Sequence, residues 1–288
     1  MSKNQVLTIT VLWVLAIILL CTGLYLTFID RGYTEVAFID VGQGDSCFIQ
    51  TDKFSSVLID GGDSGSGKYV IEPFLGSKSE RCVDAVFLSH MHADHINGIL
   101  ELLESDIEIK QIYVSEYAEF ENGYKKLSEK AERRKVPIKA LCGGEIVDID
   151  NVSFEVIGGG KTYSDQNDKS MVLRFECGDN SILFTGDATK KAEDDILDNE
   201  GIDTDILKVG HHGSSGSSDT DFLEKVTAEL FVISVGENNK YGHPSKEAMD
   251  RFKMYDSPIV RTDYDGTISI LMTDNDVKDI NLSREREM

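Results

Sequence analysis

Apolar positions follow two regimes along the chain. From Val6 to Ile29 they run almost unbroken, 24 residues without a charged side chain. That is about 36 Å as a helix at ~1.5 Å per residue, enough to cross a hydrocarbon core of ~30 Å. Beyond residue 32 the apolar runs are short and alternate with charged, amphipathic stretches. Glu35–Val41, Cys47–Gln50 and Val57–Asp60, split by Gly-rich turns, predict a β-meander. Tyr69–Leu75 reads as a helix, Val83–Ser89 as a buried strand and Ile96–Glu104 as a helix. Gln111–Ser115 reads as a strand, and Phe120–Lys135 as a charged amphipathic helix stopped by Pro137. A second strand-rich run comprises Ser153–Ile157, Met171–Glu176 and Ser181–Thr185. Helical patterns over Lys190–Asn199, Asp219–Val226 and Ser245–Met254 then alternate with strands at Ile206–Val209, Leu230–Val235, Ile259–Arg261 and Thr267–Met272. Two β-rich halves, each passing into strand–helix alternation, predict an α/β domain of two sheets sandwiched by helices. Residues 1–31 are expected to be a membrane anchor, 32–280 the folded domain, and 281–288 a frayed tail.

A signal-peptide apolar region is shorter, roughly 7–15 residues, and ends at a small-x-small cleavage site. No good site of that kind follows here, so an uncleaved single transmembrane helix is expected, with a cleaved signal and a secreted product as the alternative. Lys3 favours an N-terminus inside and the catalytic part outside, extracytoplasmic at the cell membrane, although Arg31 sits just past the span. The five cysteines (21, 47, 82, 142 and 177) include no Cys-x-x-Cys pair and read as small buried hydrophobes.

Charge narrows the partners. The chain carries 51 acidic and 29 basic residues, a net −22, and the first 29 residues hold only Lys3. This argues against an indiscriminate nucleic-acid binder, which carries a basic face. One basic run, Lys125, Lys126, Lys130, Arg133, Arg134 and Lys135, falls on a single expected helix. With Glu129 and Glu132 interleaved it reads first as a solvated face.

The six histidines sit in three Gly-rich turns that follow apolar runs, where an α/β layered fold places reactive groups. His90, His92 and His95 lie in Leu-Ser-His-Met-His-Ala-Asp-His. Neutral imidazole is the commonest Zn²⁺ ligand. His90 and His92, two apart on a turn, can face one metal while Asp94 and His95 turn toward a second. Two metals ~3.5–4 Å apart can share a hydroxide and clamp the attacking and leaving oxygens of a displacement. Asp187 ends an apolar strand and could bridge two metals, or cap the helix that follows. Of the adjacent His211 and His212 at most one is expected to ligate, the other suiting proton transfer. His243, before Pro244, is a metal or substrate contact or a simple pre-helix turn residue. Asp60-Gly61-Gly62 and Val41-Gly42-Gln43-Gly44-Asp45-Ser46 read as tight turns.

In these residues the chain resembles the metallo-β-lactamase fold hydrolases, whose His-x-His-x-Asp-His signature corresponds to His90, His92, Asp94 and His95. It resembles most the metallo-β-lactamase-like domain of ComEC-type DNA-uptake proteins, over roughly residues 33–275. Six turns match in order, at 40–46, 59–62, 185–187, 208–214, 242–244 and 261–263. The resemblance implies a four-layer αββα sandwich with a metal site at the sheet edges, hydrolysis, often of phosphodiesters, and an extracytoplasmic setting. It implies one or two divalent ions held by His90, His92, Asp94, His95, Asp187, His212 and His243. Asp94, His211 and His243 are the catalytic candidates. A histidine at 92, where redox di-iron members carry a carboxylate, favours Zn²⁺ or Mn²⁺ and hydrolysis.

Two departures stand out. ComEC-type proteins carry a large polytopic membrane domain, whereas this chain has one expected span. No histidine lies between 95 and 211, where many superfamily members supply one; Asn167, Asp168 and Ser170 take that place. A phosphodiesterase or nuclease-like activity outside the membrane is expected; the acidity favours a small, neutral or locally recruited substrate, with a short phosphodiester as a candidate and long nucleic acid left open. Ester, thioester, lactone or amide hydrolysis on the same site, or a membrane-anchored non-catalytic binding module, are the alternatives.

Overall fold

The protein is described by a computed structural model covering residues 3–27, 31–158 and 164–284. Residues 1–32 and 33–288 form separate units. In the first, helix α1 spans Lys3–Thr27, and the side chains of residues 8–21 are all exposed. Among the described residues no helix is long and apolar enough to cross a membrane. Residues 1, 2 and 28–30 of the expected anchor lie outside the described residues.

The second unit is a sandwich. One sheet holds β1 (Thr34–Phe38), β2 (Cys47–Gln50), β3 (Ser56–Ile59), β5 (Ala85–Leu88), β7 (Ile112–Ser115), β8 (Ile138–Leu141), β16 (Ile268–Met272) and β17 (Val277–Leu282). Their order is β17-β16-β1-β2-β3-β5-β7-β8. The other sheet runs β15-β14-β13-β12-β11-β10-β9. Its strands are β9 (Ile146–Ile149), β10 (Val152–Gly158), β11 (Val172–Cys177), β12 (Asn180–Phe184), β13 (Ile206–Lys208), β14 (Leu230–Ile233) and β15 (Ile259–Arg261). A short parallel pair, β4 (Cys82–Val83) and β6 (Glu108–Ile109), lies apart from both.

Period-two alternation decides which face each residue covers. In β3, Val57 and Ile59 face the second sheet while Leu58 faces outward, and β5 repeats this with Ala85 and Phe87 against Val86 and Leu88. The inter-sheet core is centred on Phe87, stacked between Tyr113 and Phe154 at 4.8 and 4.7 Å. Outside the first sheet pack α2 (Glu72–Ser77), α3 (Ala93–Leu102) and α4 (Tyr124–Arg134). Outside the second pack α5 (Lys190–Asp194), α6 (Thr220–Val226) and α7 (Lys246–Phe252), while α8 (Thr262–Asp265) closes the turn after β15. The layers are α, β, β, α, as the resemblance implies.

Several local expectations shift. The helix expected from Phe120 begins only at Tyr124, because Gly123 takes φ +105° and interrupts the turn, and it ends before Lys135 in a left-handed conformation. The basic run on α4 is partly structural: Lys130 donates to the Leu100 carbonyl and Arg134 to that of Ile107. The helix expected over Lys190–Asn199 ends at Asp194. Strand β17 takes up residues 281 and 282 of the tail expected to fray, and Arg284 bonds to Asp40 and to the Asp263 carbonyl. Residues 285–288 lie outside the described residues.

Candidate metal centre

Strands β3 and β5 are parallel, as are β12, β13 and β14, so their carboxyl ends deliver loops to one edge of the sandwich. Asp60 follows β3, His90 to His95 follow β5, Asp187 follows β12, and His211 and His212 follow β13. The loops are brought together by close backbone approach. Gly186 has φ +52°, and a Cβ there would stand 2.8 Å from that of Ser89, so only glycine lets the β12 loop lie on the β5 loop. His211 and His212 also hold left-handed backbone, at φ 48° and 53°, strain of about 1–3 kcal/mol each that the surrounding packing sustains.

Asp187 stands at the centre. Two groups of possible ligand atoms share it, Asp94, His95, Asp187 and His212 in one and His90, His92 and Asp187 in the other, each within 4.8 Å, and Asp45, Asp60 and His95 form a third. The Asp187 oxygens lie 3.3 Å from His95 Nε2, 3.6 Å from His212 Nε2 and 3.8 Å from His90 Nε2. Asp187 thus belongs to both groups, its two oxygens lying between them. The alternative, a helix cap, falls to Thr189, which precedes α5. His212 Nε2 lies 3.4 Å from Asp94, and His211 Nε2, partly exposed, 3.6 Å from Asp187. His243 joins neither group: its ring centroid lies 5.6 Å from that of His211, under Tyr241 at the mouth.

Hydrogen bonding shows which ring atom each buried histidine offers. His90 Nδ1 pairs with Ser89 Oγ at 3.0 Å, His95 Nδ1 with Asp60 Oδ2 at 2.8 Å, and His212 Nδ1 with the Ser234 carbonyl at 3.0 Å. The Nε2 atoms of all three, and Asp187 Oδ1, are buried without a hydrogen-bond partner. Four orphaned donor atoms converging on one point, each ring fixed from behind, are what a divalent cation requires and what a self-contained polar network avoids.

Electrostatics agrees. Burial pushes the Asp187 carboxyl up, but His95 and His212 outweigh it and hold it well below the usual carboxylate range. Asp94 is likewise brought down to about 2, burial opposed by His212 and His95. Burial alone would lower His212, yet Asp187 and Asp45 push it up to about 10, while His90, buried beside His95, is driven down. In the metal-free cluster the carboxylates thus draw protons onto His95 and His212, positive charge that a bound cation would replace.

Sequence reasoning left several contributors unassigned. Lys208 sits at an inward position of β13, where period two calls for an apolar residue, and its Nζ lies 2.7 Å from Asp45 Oδ2. Asp45 Oδ1 in turn lies 3.2 Å from His212 Nδ1. A lysine ending an apolar strand was the available signal. Ser170 Oγ accepts from the Asp187 amide, so that departure from the superfamily pattern positions a ligand rather than supplying one. Asn167 lines the mouth with Gln43, His92 and Tyr241, and its Oδ1 is buried without a partner.

The chain is similar to known proteins across this same region. It is 32% identical to ComE operon protein 3 of Bacillus subtilis over 269 residues, 86% of this chain and 34% of that protein. It is 30% identical to Competence protein ComA of Neisseria gonorrhoeae over 243 residues, 83% of this chain and 32% of that one. The chain thus spans about a third of the length of these curated relatives. Among solved structures, the metallo-beta-lactamase fold protein YhfI from Bacillus subtilis superposes with a TM-score of 0.58 at 14% identity, covering 83% of this chain and 100% of that one, a likeness of fold. A family model described as the metallo-beta-lactamase superfamily matches residues 39–237, the stretch that runs from the end of β1 past β14 and supplies both ligand groups. The chain therefore belongs to the metallo-beta-lactamase superfamily, as a metal-dependent hydrolase with a His/Asp metal site.

Proposed function

We propose that this hydrolase cleaves phosphodiester bonds in a small or short substrate. The observation that carries the reading is the sharing of Asp187 by two ligand groups, His90 and His92 on one side and Asp94, His95 and His212 on the other. Such a pair of centres suits a displacement in which attacking and leaving oxygens lie in line. Divalent cations held there, Zn²⁺ or Mn²⁺, would supply a Lewis acid and lower the pKa of a water to about 7. The chain's own residues do the rest. Asp187, with Asp94 beside it, holds the nucleophile's side of the site. His211, partly exposed with Nε2 3.6 Å from Asp187, is placed to give a proton to the leaving oxygen. His243 stands behind it at the mouth and contacts the substrate. The resemblance to the ComEC-type domain, which implies hydrolysis often of phosphodiesters, favours that bond over an ester or thioester.

The test is hydrolysis of bis-p-nitrophenyl phosphate against a thioester by the full-length chain, with Zn²⁺ and with Mn²⁺. Phosphodiester turnover that disappears in His90→Ala and Asp187→Ala supports the reading. Turnover of the thioester alone moves the activity to the carbonyl alternative, and bound metal without either turnover favours a binding module. The exposed apolar side chains between Ile9 and Leu20, with Lys3 ahead of them, support the further proposal that the chain is anchored at the cell membrane with its domain outside. Fractionation with protease access from the outer face tests it.

A further inference from the structure

Of the six residues in the two groups, four have their own clamp, and Asp94 meets His212 at 3.4 Å. His90, His95 and His212 are each held through Nδ1, and Asp187 through its backbone amide to Ser170. His92 is different: among the described residues its ring takes no hydrogen bond, and it lines the mouth half-buried. Its place beside His90 and Asp187 therefore depends on the backbone of the His90-Met91-His92 turn. One side chain holds that turn from outside. Glu121, in the loop before α4, is buried, and its Oε2 accepts from the Met91 amide at 3.1 Å. The same loop lies close against the turn, since a Cβ on Gly123 would come within 3.0 Å of the Met91 carbonyl. Glu121 Oε1 is equally buried and has no partner. A carboxyl that is buried to satisfy one amide, with its second oxygen idle, is a costly way merely to fasten a loop.

We propose that Glu121 is the positioning residue for the His90–His92 centre, its carboxyl oxygen fixing the Met91 amide and so the placement of His92. The proposal rests on the metal-site reading above. It predicts a one-sided effect, because the group containing Asp94, His95 and His212 is built without Glu121.

The experiment is calorimetric titration of the metal-stripped full-length chain with Mn²⁺ and with Zn²⁺, for wild type, Glu121→Met, Glu121→Gln, His92→Ala and the Glu121→Met/His92→Ala pair. Methionine keeps the volume and removes the strong acceptor; glutamine keeps an acceptor oxygen. Glu121→Met is expected to weaken the same equivalent of metal as His92→Ala, by roughly 10–100-fold as outer ligand partners do. The other equivalent should change little, Glu121→Gln should stay within about threefold of wild type, and the pair should be no weaker than His92→Ala alone. The assignment is overturned if Glu121→Met leaves both equivalents within about threefold. It is also overturned if Glu121→Gln is as weak as Glu121→Met, or if both equivalents fall together with the melting temperature of the metal-free protein. A wild-type chain that takes up no metal refutes the site itself, a result distinguishable from failure of Glu121 alone.

Discussion

Replacing Lys208 by methionine isolates one ion pair. Lys208 and Asp45 are 3% and 8% exposed at the side chain, and the ammonium also donates to the Val209 carbonyl. Burial pushes the Asp45 carboxyl up, but Lys208 and then His212 reverse this and hold it well below the usual carboxylate range. Methionine fills the volume and deletes the charge, leaving the buried Asp45 with only His212 Nδ1, 3.2 Å from its Oδ1, beside it. Breaking a buried pair from one side costs about 3–5 kcal/mol. At about 2–4 °C per kcal/mol for a domain of this size, the melting temperature should fall by roughly 6–20 °C. Removing both charges, Lys208→Met with Asp45→Leu, should recover most of that loss, because a buried pair exchanged for apolar side chains is often near neutral. Metal affinity should not recover, since His212 Nδ1 loses the carboxylate 3.2 Å away. Thermal unfolding of the metal-free proteins and metal titration separate the two effects. A Lys208→Met protein melting within about 2 °C of wild type, or a double variant no more stable than the single, would refute the assignment of that cost to the lost Lys208 charge beside Asp45.

Three further outcomes follow from the same geometry. Gly186→Ala must adopt left-handed backbone and push against Ser89, so it should cost about 1–2 kcal/mol or more in unfolding and weaken metal binding by displacing Asp187; an unchanged titration would mean the loops part freely. Glu193 is fully buried, accepts from the Ser218 and Asp219 amides, and is raised by burial to about 7. The native state therefore holds a proton that the unfolded state has released, and stability should fall as pH rises from about 4.5 to 7, on the order of 2–3 kcal/mol. Glu193→Gln should flatten that slope in a pH series of denaturant melts, only in part, because buried Glu121 is raised to about 7 in the same direction. Chelation should lower the melting temperature of the metal-loaded protein, by the equivalent of about 2.7 kcal/mol where metal had stood at a hundredfold its Kd; scanning calorimetry with and without chelator checks this.

The layers were legible because period-two alternation in strands such as Val57–Ile59 and Ala85–Leu88 states which residues face the second sheet. The ligand turns were legible because His90, His92, Asp94 and His95 lie within six residues, a density that local sequence displays by itself. What sequence could not display was contact across long separations. Asp45 and Lys208 are 163 residues apart and Met91 and Glu121 30, and nothing in either local pattern ties one to the other. Helix ends failed where backbone outranked periodicity, as at Gly123, whose positive φ stops a pattern that side chains alone would continue. Sequence could not rank His243 against the other histidines either: its turn resembles theirs, yet its ring stands beside His211 and Tyr241, outside both groups around Asp187.

A phosphodiester substrate, on the proposed function, meets two different fields on this molecule. Beyond a Debye length of ~8–10 Å it meets a protein of net charge −22, which slows its approach. Inside the mouth, Asp45, Asp60, Asp94 and Asp187 face one buried ammonium, Lys208, with the imidazoles counted neutral. That surplus of negative charge is what divalent cations offset, and two of them would turn the cluster slightly positive. A single phosphate that reaches the cleft is then held by local positive charge, whereas the remaining phosphates of a long polymer stay in the repulsive field outside it. The basic run that could have guided a polymer is partly spent on fastening α4, through Lys130 and Arg134. On the proposed function, this charge distribution would favour short phosphodiesters over long ones, a preference set by where the charges lie and not by their sum.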